Sequence, residues 1–120
     1  MAQTLQVRAI IRNSTTGGAS GLDSISVTTT GNGAWSRKES VATTEEEWTI
    51  DANAIGDAGY CVIRNFDPTN YVQVGFATTV YNLRLKAGQC AVLPLEPATA
   101  SLFLKANTGA CVVSVEVIEA

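Results

Sequence analysis

The sequence predicts an all-β fold, an antiparallel and jelly-roll-like β-sandwich of about eight to nine short strands, as one domain over residues 1–120. Three observations predict it. Apolar and polar residues alternate with a period of two along most of the chain. Turn-forming residues interrupt the alternation at short intervals. No segment of ten or more residues carries the 3.6-residue apolar spacing of a helix.

The first third of the chain contains three of the predicted strands. In the first, one face carries Leu5, Val7, Ala9 and Ile11. A loop of small residues, STTGGASG, leads to the second run, LDSISVTTT, in which one face carries Ile25, Val27 and Thr29. The sequence GNG at 31–33 then predicts a tight turn before the third run, AWSRKESV.

The segment TTEEEW, residues 43–48, allows two interpretations. Thr44 and Glu47 fit a capping box, which would begin a helical turn. Trp48 and Ile50, however, alternate in the manner of a strand. We expect a strand over residues 46–50, followed by the loop DANAIGDAG.

Six further strands are predicted in the second half, over residues 60–66, 71–77, 81–86, 90–95, 101–106 and 111–118. Turn sequences separate each pair: DPTN, TTV, AGQ, EPAT and NTG. Pro94 lies inside one run, which predicts an edge strand or a strand that is broken there, because proline cannot donate a ladder hydrogen bond.

The segment DPTN predicts a four-residue hairpin turn between two of these strands. In that register Phe66 faces Tyr71, and Cys61 faces Phe76. The core face then collects Cys61, Ile63, Val72, Val74 and Phe76. The outer face collects Tyr60, Arg64, Phe66, Tyr71 and Gln73.

The last two predicted strands contain both expected core residues and expected surface residues. On the core side we expect Leu102, Leu104, Cys111, Val113, Val115 and Val117. On the opposite side lie further apolar residues, namely Ile10, Phe103, Val112 and Ile118. Several such residues on a small domain indicate a contact surface, so we expect a subunit interface and a homo-oligomer.

The composition argues against an enzyme. The chain has no histidine, which removes the commonest general base and the commonest metal ligand, and no SxxK motif occurs. The run Glu45–Glu47 is most simply a solvated segment. Cys61, Cys90 and Cys111 each lie among apolar residues, and we expect buried free thiols.

Two loops resemble calcium sites only weakly. DPTN offers Asp67 and Asn70, with Asn65 before them, and DANAIGD offers Asp51, Asn53 and Asp57. Neither has the full ligand pattern of a calcium loop. We therefore expect no metal, no cofactor and no catalytic residue.

Charge and hydropathy also limit the class of partner and the location that we expect for the protein. Lysine and arginine are scattered and the net charge is −3, so a nucleic-acid groove is not expected. No run approaches the roughly 20 apolar residues that cross a bilayer, and the N-terminus lacks a signal sequence. We expect a soluble protein made in the cytoplasm.

Trp35 and Trp48 have two interpretations. They are candidates for stacking on a sugar, or they are core or interface anchors, where large aromatic residues commonly concentrate binding energy.

From about Gly59 onward, three segments carry a resemblance to a known group of proteins: GYCVIRNFDPTNYVQVG, LRLKAGQCAVLPL and SLFLKANTGACVVSVEVIEA. In these segments the chain resembles small virion proteins of tailed bacteriophages. These proteins are β-sandwich components of the particle, either head decoration (cement) proteins or neck and tail accessory proteins.

The resemblance implies a non-enzymatic cement subunit that stabilises the phage head. Its partners would be the major capsid protein or other virion proteins, and it would be located in the virion after synthesis in the bacterial cytoplasm. The alternative is a neck, tail or fibre-associated module that binds a host glycan. The candidate interface residues are Trp35, Trp48, Phe66, Tyr71 and Phe103.

Overall fold

The computed structural model describes residues 3–12, 19–29 and 31–120, and within these ranges it contains strands and loops but no helix. The predicted all-β class is confirmed. The ten strands are β1 (Gln3–Arg12), β2 (Ala19–Thr29), β3 (Ala34–Val41), β4 (Glu46–Thr49), β5 (Ala58–Asn65), β6 (Val72–Gly75), β7 (Leu83–Leu85), β8 (Cys90–Pro94), β9 (Ser101–Ala106) and β10 (Cys111–Glu119).

Eight of the strands form a sandwich of two antiparallel sheets. The first sheet has the order β3-β10-β5-β8, and the second has the order β4-β9-β6-β7. Successive strands pass from one sheet to the other, except that β6 and β7 are neighbours in the second sheet. This strand order is that of a jelly roll.

The core lies between the two sheets and follows the period-two pattern. In β10 the alternate residues Cys111, Val113, Val115 and Val117 are all buried, as predicted. Leu102 and Leu104 of β9 and the indole of Trp48 complete its centre. Each fully buried aliphatic side chain stabilises the fold by about 1.5–3 kcal/mol relative to an exposed one.

The predicted hairpin around DPTN is wrong. β5 pairs with β10 and β8, whereas β6 pairs with β9 and β7, so residues 66–71 cross from the first sheet to the second. Phe66 and Tyr71 therefore do not face each other in a ladder. The core positions predicted in these strands are nevertheless buried, except for Phe76, which lies beyond the end of β6 and is exposed.

Three local predictions have clear outcomes. The segment TTEEEW does not begin a helical turn, because its last three residues belong to strand β4, which extends over Glu46–Thr49. Pro94 ends β8, which is an edge strand of the first sheet, as its missing N–H requires. The GNG segment forms no tight turn. It runs beside the end of β10, where the Gly31 amide donates to the Ala120 carbonyl at 3.0 Å.

β1 and β2 form a separate antiparallel hairpin. Its ladder extends from Gln3 opposite Thr29 to Arg12 opposite Ala19, with a bulge between Val7 and Ala9. In the part of the chain that the structure describes, neither strand pairs with the sandwich. Residues 14–18 of the predicted small-residue loop, and the side chains of Leu5, Ala9, Ile10, Ile11 and Ile25, lie outside the described part of the structure. The last three residues of that predicted loop, 19–21, belong to β2 instead.

Candidate interaction surface

The solvent-side surface of the first sheet, here called the outer face, is unusually apolar. Val62, Val92, Val112 and Phe66 on this face are 39–42% exposed. The register places Val62 of β5 directly opposite Val92 of β8. Single exposed apolar residues are ordinary, but a group of them on one sheet face indicates a contact surface.

The outer face also has a cationic end. Phe66 extends the sheet, because its amide donates to the Val112 carbonyl at 2.8 Å. Lys38 Nζ lies 4.2 Å and Arg64 Cζ 4.5 Å from the centroid of its ring. Each such contact contributes about 0.5–1 kcal/mol at an exposed site. The two cations therefore pack against the exposed ring of Phe66.

The five candidate interface residues do not form one site. Phe66 belongs to the outer face, whereas Tyr71 directly precedes β6 and Phe103 lies in β9 of the second sheet. Arg84 Cζ lies 4.2 Å from the Tyr71 ring centroid. Phe103 is half-buried, with Glu47 and Gly75 as its cross-strand neighbours.

The two tryptophans belong to the interior. Trp48 is 0% exposed, so its ring is a core residue and not an interface residue, which corrects the prediction. The Arg37 guanidinium covers the ring at 4.6 Å from its centroid. Trp35 is half-buried and packs against the core. The core interpretation of these residues therefore fits the structure better than sugar stacking does.

The sequence prediction missed Val62 and Val92. Val62 lies in the run CVI, and three consecutive apolar residues do not by themselves show which one faces outward. The neighbouring residues Cys61 and Ile63 are both fully buried, so the alternation alone assigns Val62 to the opposite face. Val112 and Ile118, which were predicted as surface apolar residues, do belong to the outer face.

The polar residues around DPTN form hydrogen bonds to backbone groups at one end of the sandwich. Asn65 is 0% exposed, and its Nδ2 donates to the carbonyls of Asn70 at 2.9 Å, Leu85 at 3.1 Å and Lys86 at 3.3 Å. Asp67 Oδ2 accepts from the amides of Asn70 and Thr69. These two amides, that of Asn70 first, hold the pKa of the Asp67 carboxyl below its ordinary value.

The loop DANAIGD has a similar structural role. Asp51 Oδ1 accepts from the Asn53 amide at 2.8 Å, and the Asp51 carbonyl accepts from the amides of Ala54 and Ile55. Ile55 is buried in the core. In the described part of the chain, no three His, Cys, Asp or Glu side chains converge in a way that could hold a metal ion.

The acidic run at 45–47 is not simply a solvated segment. Glu45 accepts from the Tyr81 hydroxyl at 2.5 Å, the Thr79 amide at 2.7 Å and the Thr78 hydroxyl at 2.8 Å. These donors, with Tyr81 first, lower the pKa of Glu45, and the same contact raises the pKa of Tyr81 to about 12. Glu45 thus anchors the loop that joins β6 to β7.

Glu119 performs the same role where β10 ends. Its carboxylate accepts from the amides of Gly33 and Gly56, each at 2.8 Å. These amides, with Gly56 first, lower its pKa. A Cβ atom at position 33 would collide with the Ala54 carbonyl, so the close approach of these segments requires glycine there. This is the structural reason for the second glycine of the GNG sequence.

The three cysteines are free, but they differ in exposure. Cys61 and Cys111 are buried, as predicted, and burial raises the pKa of Cys61 to about 12. Cys90 is exposed, which contradicts the prediction. The cause is its position on the outer face of edge strand β8, directly opposite Arg64.

Comparison with known proteins finds no matching family model, no matching curated protein and no matching solved structure. Within the described ranges, no helix is long and apolar enough to cross a membrane.

Proposed function

We propose that the chain is a non-enzymatic structural protein of a tailed-bacteriophage virion, acting as a capsid decoration or cement subunit. The observation that carries the proposal is the outer face, where Val62, Val92, Val112 and Phe66 present apolar surface on a rigid sheet. A cement protein acts by burying surface of this kind against its neighbours, and it needs no substrate pocket.

The resemblance to phage virion proteins supports the proposal. The residues that carry it, from Gly59 onward, include six of the eight strands of the sandwich, β5 to β10. They also include all four exposed apolar residues of the outer face. The partners proposed are the major capsid protein or other virion proteins, together with further copies of the same chain.

Copies arranged around a symmetry axis would gain stability collectively. Binding to a partner favours the folded state by mass action, so a small domain need not be very stable alone. The symmetry of a capsid supplies many equivalent positions for such a subunit.

The alternative, a neck, tail or fibre-associated module that binds a glycan, has less support. Its candidate stacking residues were Trp35 and Trp48. Trp48 is fully buried and Trp35 packs against the core, so neither ring forms an open platform for a sugar.

Copy number in purified virions tests the proposal. Gel densitometry against the major capsid protein should give on the order of hundreds of copies per particle. About a dozen or fewer copies would contradict the cement role and favour the neck or tail. Complete absence from virions would reject a virion role. Glycan-array binding that is lost in Trp35→Ala would support the alternative.

A further inference from the structure

The cationic end of the outer face contains a row of residues across three neighbouring strands. Ser114 of β10 pairs with Lys38 of β3 on one side and with Arg64 of β5 on the other. Adjacent strands lie about 4.8 Å apart, so the two cations flank the serine at one level of the sheet. Lys38 and Arg64 are exposed, and Ser114 is half-buried between them.

Phe66 brings the two positive charges close together, because both pack against its ring. The two charges lie within roughly one Debye length of each other, about 10 Å in 0.1 M salt, and they repel. Among the side chains that the structure describes, no carboxylate forms an ion pair with Lys38 or Arg64. The cationic end therefore holds two like charges without an anionic partner, on a chain whose net charge is −3.

The next level of the outer face is apolar. Val62 pairs with Val92, and it lies two residues from Arg64 in β5, which is about 6.7 Å along the strand. Side chains two positions apart in an extended peptide share a face and have the same separation. A groove of about 310 Å³, lined by Lys38, Ser114 and Val62 among others, spans both levels.

We propose that the cationic end of the outer face binds a carboxylate on an extended segment of a neighbouring virion protein. The carboxylate accepts from the Ser114 hydroxyl and lies between Lys38 and Arg64. An apolar side chain two positions away in the same segment packs on Val62 and Val92. Charge complementarity favours this occupant, because an anion placed there separates two like charges and accepts charge-assisted hydrogen bonds from both.

A nucleic acid fits the same surface less well. Binding to a phosphate chain ordinarily takes many lysine and arginine contacts, and this row supplies two. Glu116 lines the groove and lies two residues from Ser114 in β10, so its carboxylate would repel a second phosphate. The valines at the same level offer no hydrogen-bond donor to a phosphodiester backbone. A protein segment with one acidic and one apolar side chain matches both levels.

This inference rests on the proposed function for one point, that the neighbour is a virion protein. Peptide binding by the isolated chain tests the site, whereas copy number tests the location. A chain that binds the peptide but is absent from virions would overturn the virion role alone. A chain that is abundant in virions but does not bind the peptide would overturn this inference alone.

The test titrates the full-length chain with two peptides and follows its backbone amide signals by nuclear magnetic resonance. The probe is a serine peptide with blocked ends that carries one glutamate and one leucine two positions apart. The matched peptide has glutamine in place of the glutamate. The glutamate peptide should shift the signals of Lys38, Ser114, Arg64 and Val62 saturably. The glutamine peptide should bind about fivefold more weakly, because it offers no charge-assisted hydrogen bond.

Two variants reverse one charge of the row each. Arg64→Glu and Lys38→Glu should each weaken binding of the glutamate peptide by about tenfold, because a repulsive pair replaces a charge-assisted hydrogen bond. The matched control is Lys86→Glu, at an exposed lysine directly after β7 in the second sheet. It makes the same change in net charge and should leave the affinity unchanged. The amide spectrum of each variant verifies that it is folded.

Four outcomes would overturn the carboxylate site. The first is no saturable binding of the glutamate peptide, and the second is equal affinity for the two peptides. The third is an equal loss of affinity in Lys86→Glu and in the row variants, which would show attraction by net charge alone. The fourth is tighter binding of a short oligothymidylate than of the glutamate peptide, which would make the occupant a nucleic acid.

Discussion

At the scale of single residues, the polar side chains that resemble ligands are structural anchors. Asp67 binds the amides of its own turn, whereas three other side chains bind backbone groups on distant segments that the local sequence does not identify: Asn65, Glu45 and Glu119. Glu45 contacts Tyr81, 36 positions along the chain, and Glu119 contacts Gly33, 86 positions away. A single sequence shows which residues are able to anchor, but not the distant amide that each one binds.

Asn65→Ala should lower the free energy of unfolding by about 2–3 kcal/mol, because the carbonyls of Leu85 and Lys86 would lose a buried donor. Urea denaturation measures the change. The matched control is Asn107→Ala, at an exposed asparagine, which should have little effect. Equal stability of the two variants would show that the buried amide does not hold the strands together.

Glu119→Gln should flatten the dependence of stability on acid pH. The pKa of Glu119 is lowered from its ordinary value of 4.5, so its ionised form stabilises the fold above pH 4.5. That contribution is lost as the pH falls below 4.5 through the lower pKa of the folded state. Thermal melts from pH 7 to pH 2 should show the wild type and Glu119→Gln converging at the acid end. A constant difference at every pH would contradict this assignment.

At the scale of the strands, alternation predicts which face is buried, but not which strand is the neighbour. β5 and β6 show the reason. Cys61, Ile63, Val72 and Val74 face the core whether their strands pair in one sheet or lie in opposite sheets. The turn-like sequence DPTN suits a hairpin and also suits a loop that crosses the sandwich. Strand positions and core residues were therefore predictable, whereas pairing depends on contacts between distant segments.

Val74→Asp should unfold the domain, because a carboxylate would replace a fully buried side chain at the centre of the second sheet. The matched control is Gln73→Asp, one residue away in the same strand and half-buried on the opposite face. It should remain folded. Far-ultraviolet circular dichroism and gel filtration distinguish the two, and a soluble, folded Val74→Asp variant would disprove the assignment of faces in β6.

At the scale of the whole molecule, the apolar outer face of the sandwich is assembled from residues of β5, β8 and β10. Val112 and Ile118 could be identified on this surface from the alternation of β10. With Cys61 and Ile63 in the core, the alternation of β5 also implies that Val62 faces outward, but it does not show that Val92 lies beside Val62. Their proximity depends on the pairing of β5 with β8.

Association between copies, as proposed above, would make stability depend on concentration. The melting temperature of the wild type should rise as the protein is concentrated, because association favours the folded state. The melting temperature of Val92→Lys, which places a charge on the apolar outer face and should not associate, should stay constant over the same range. A wild-type melting temperature that is independent of concentration would contradict self-association.

Coverage of the outer face can be measured directly through Cys90. It is the exposed cysteine, on the outer face beside Arg64, whereas Cys61 and Cys111 are buried. A thiol reagent therefore reports on this face without any engineered probe. If copies cover one another, the Cys90 labelling rate should fall several-fold as the wild type is concentrated, and it should stay fast in Val92→Lys. A wild-type labelling rate that is the same at every concentration would contradict the use of this face as an interface between copies.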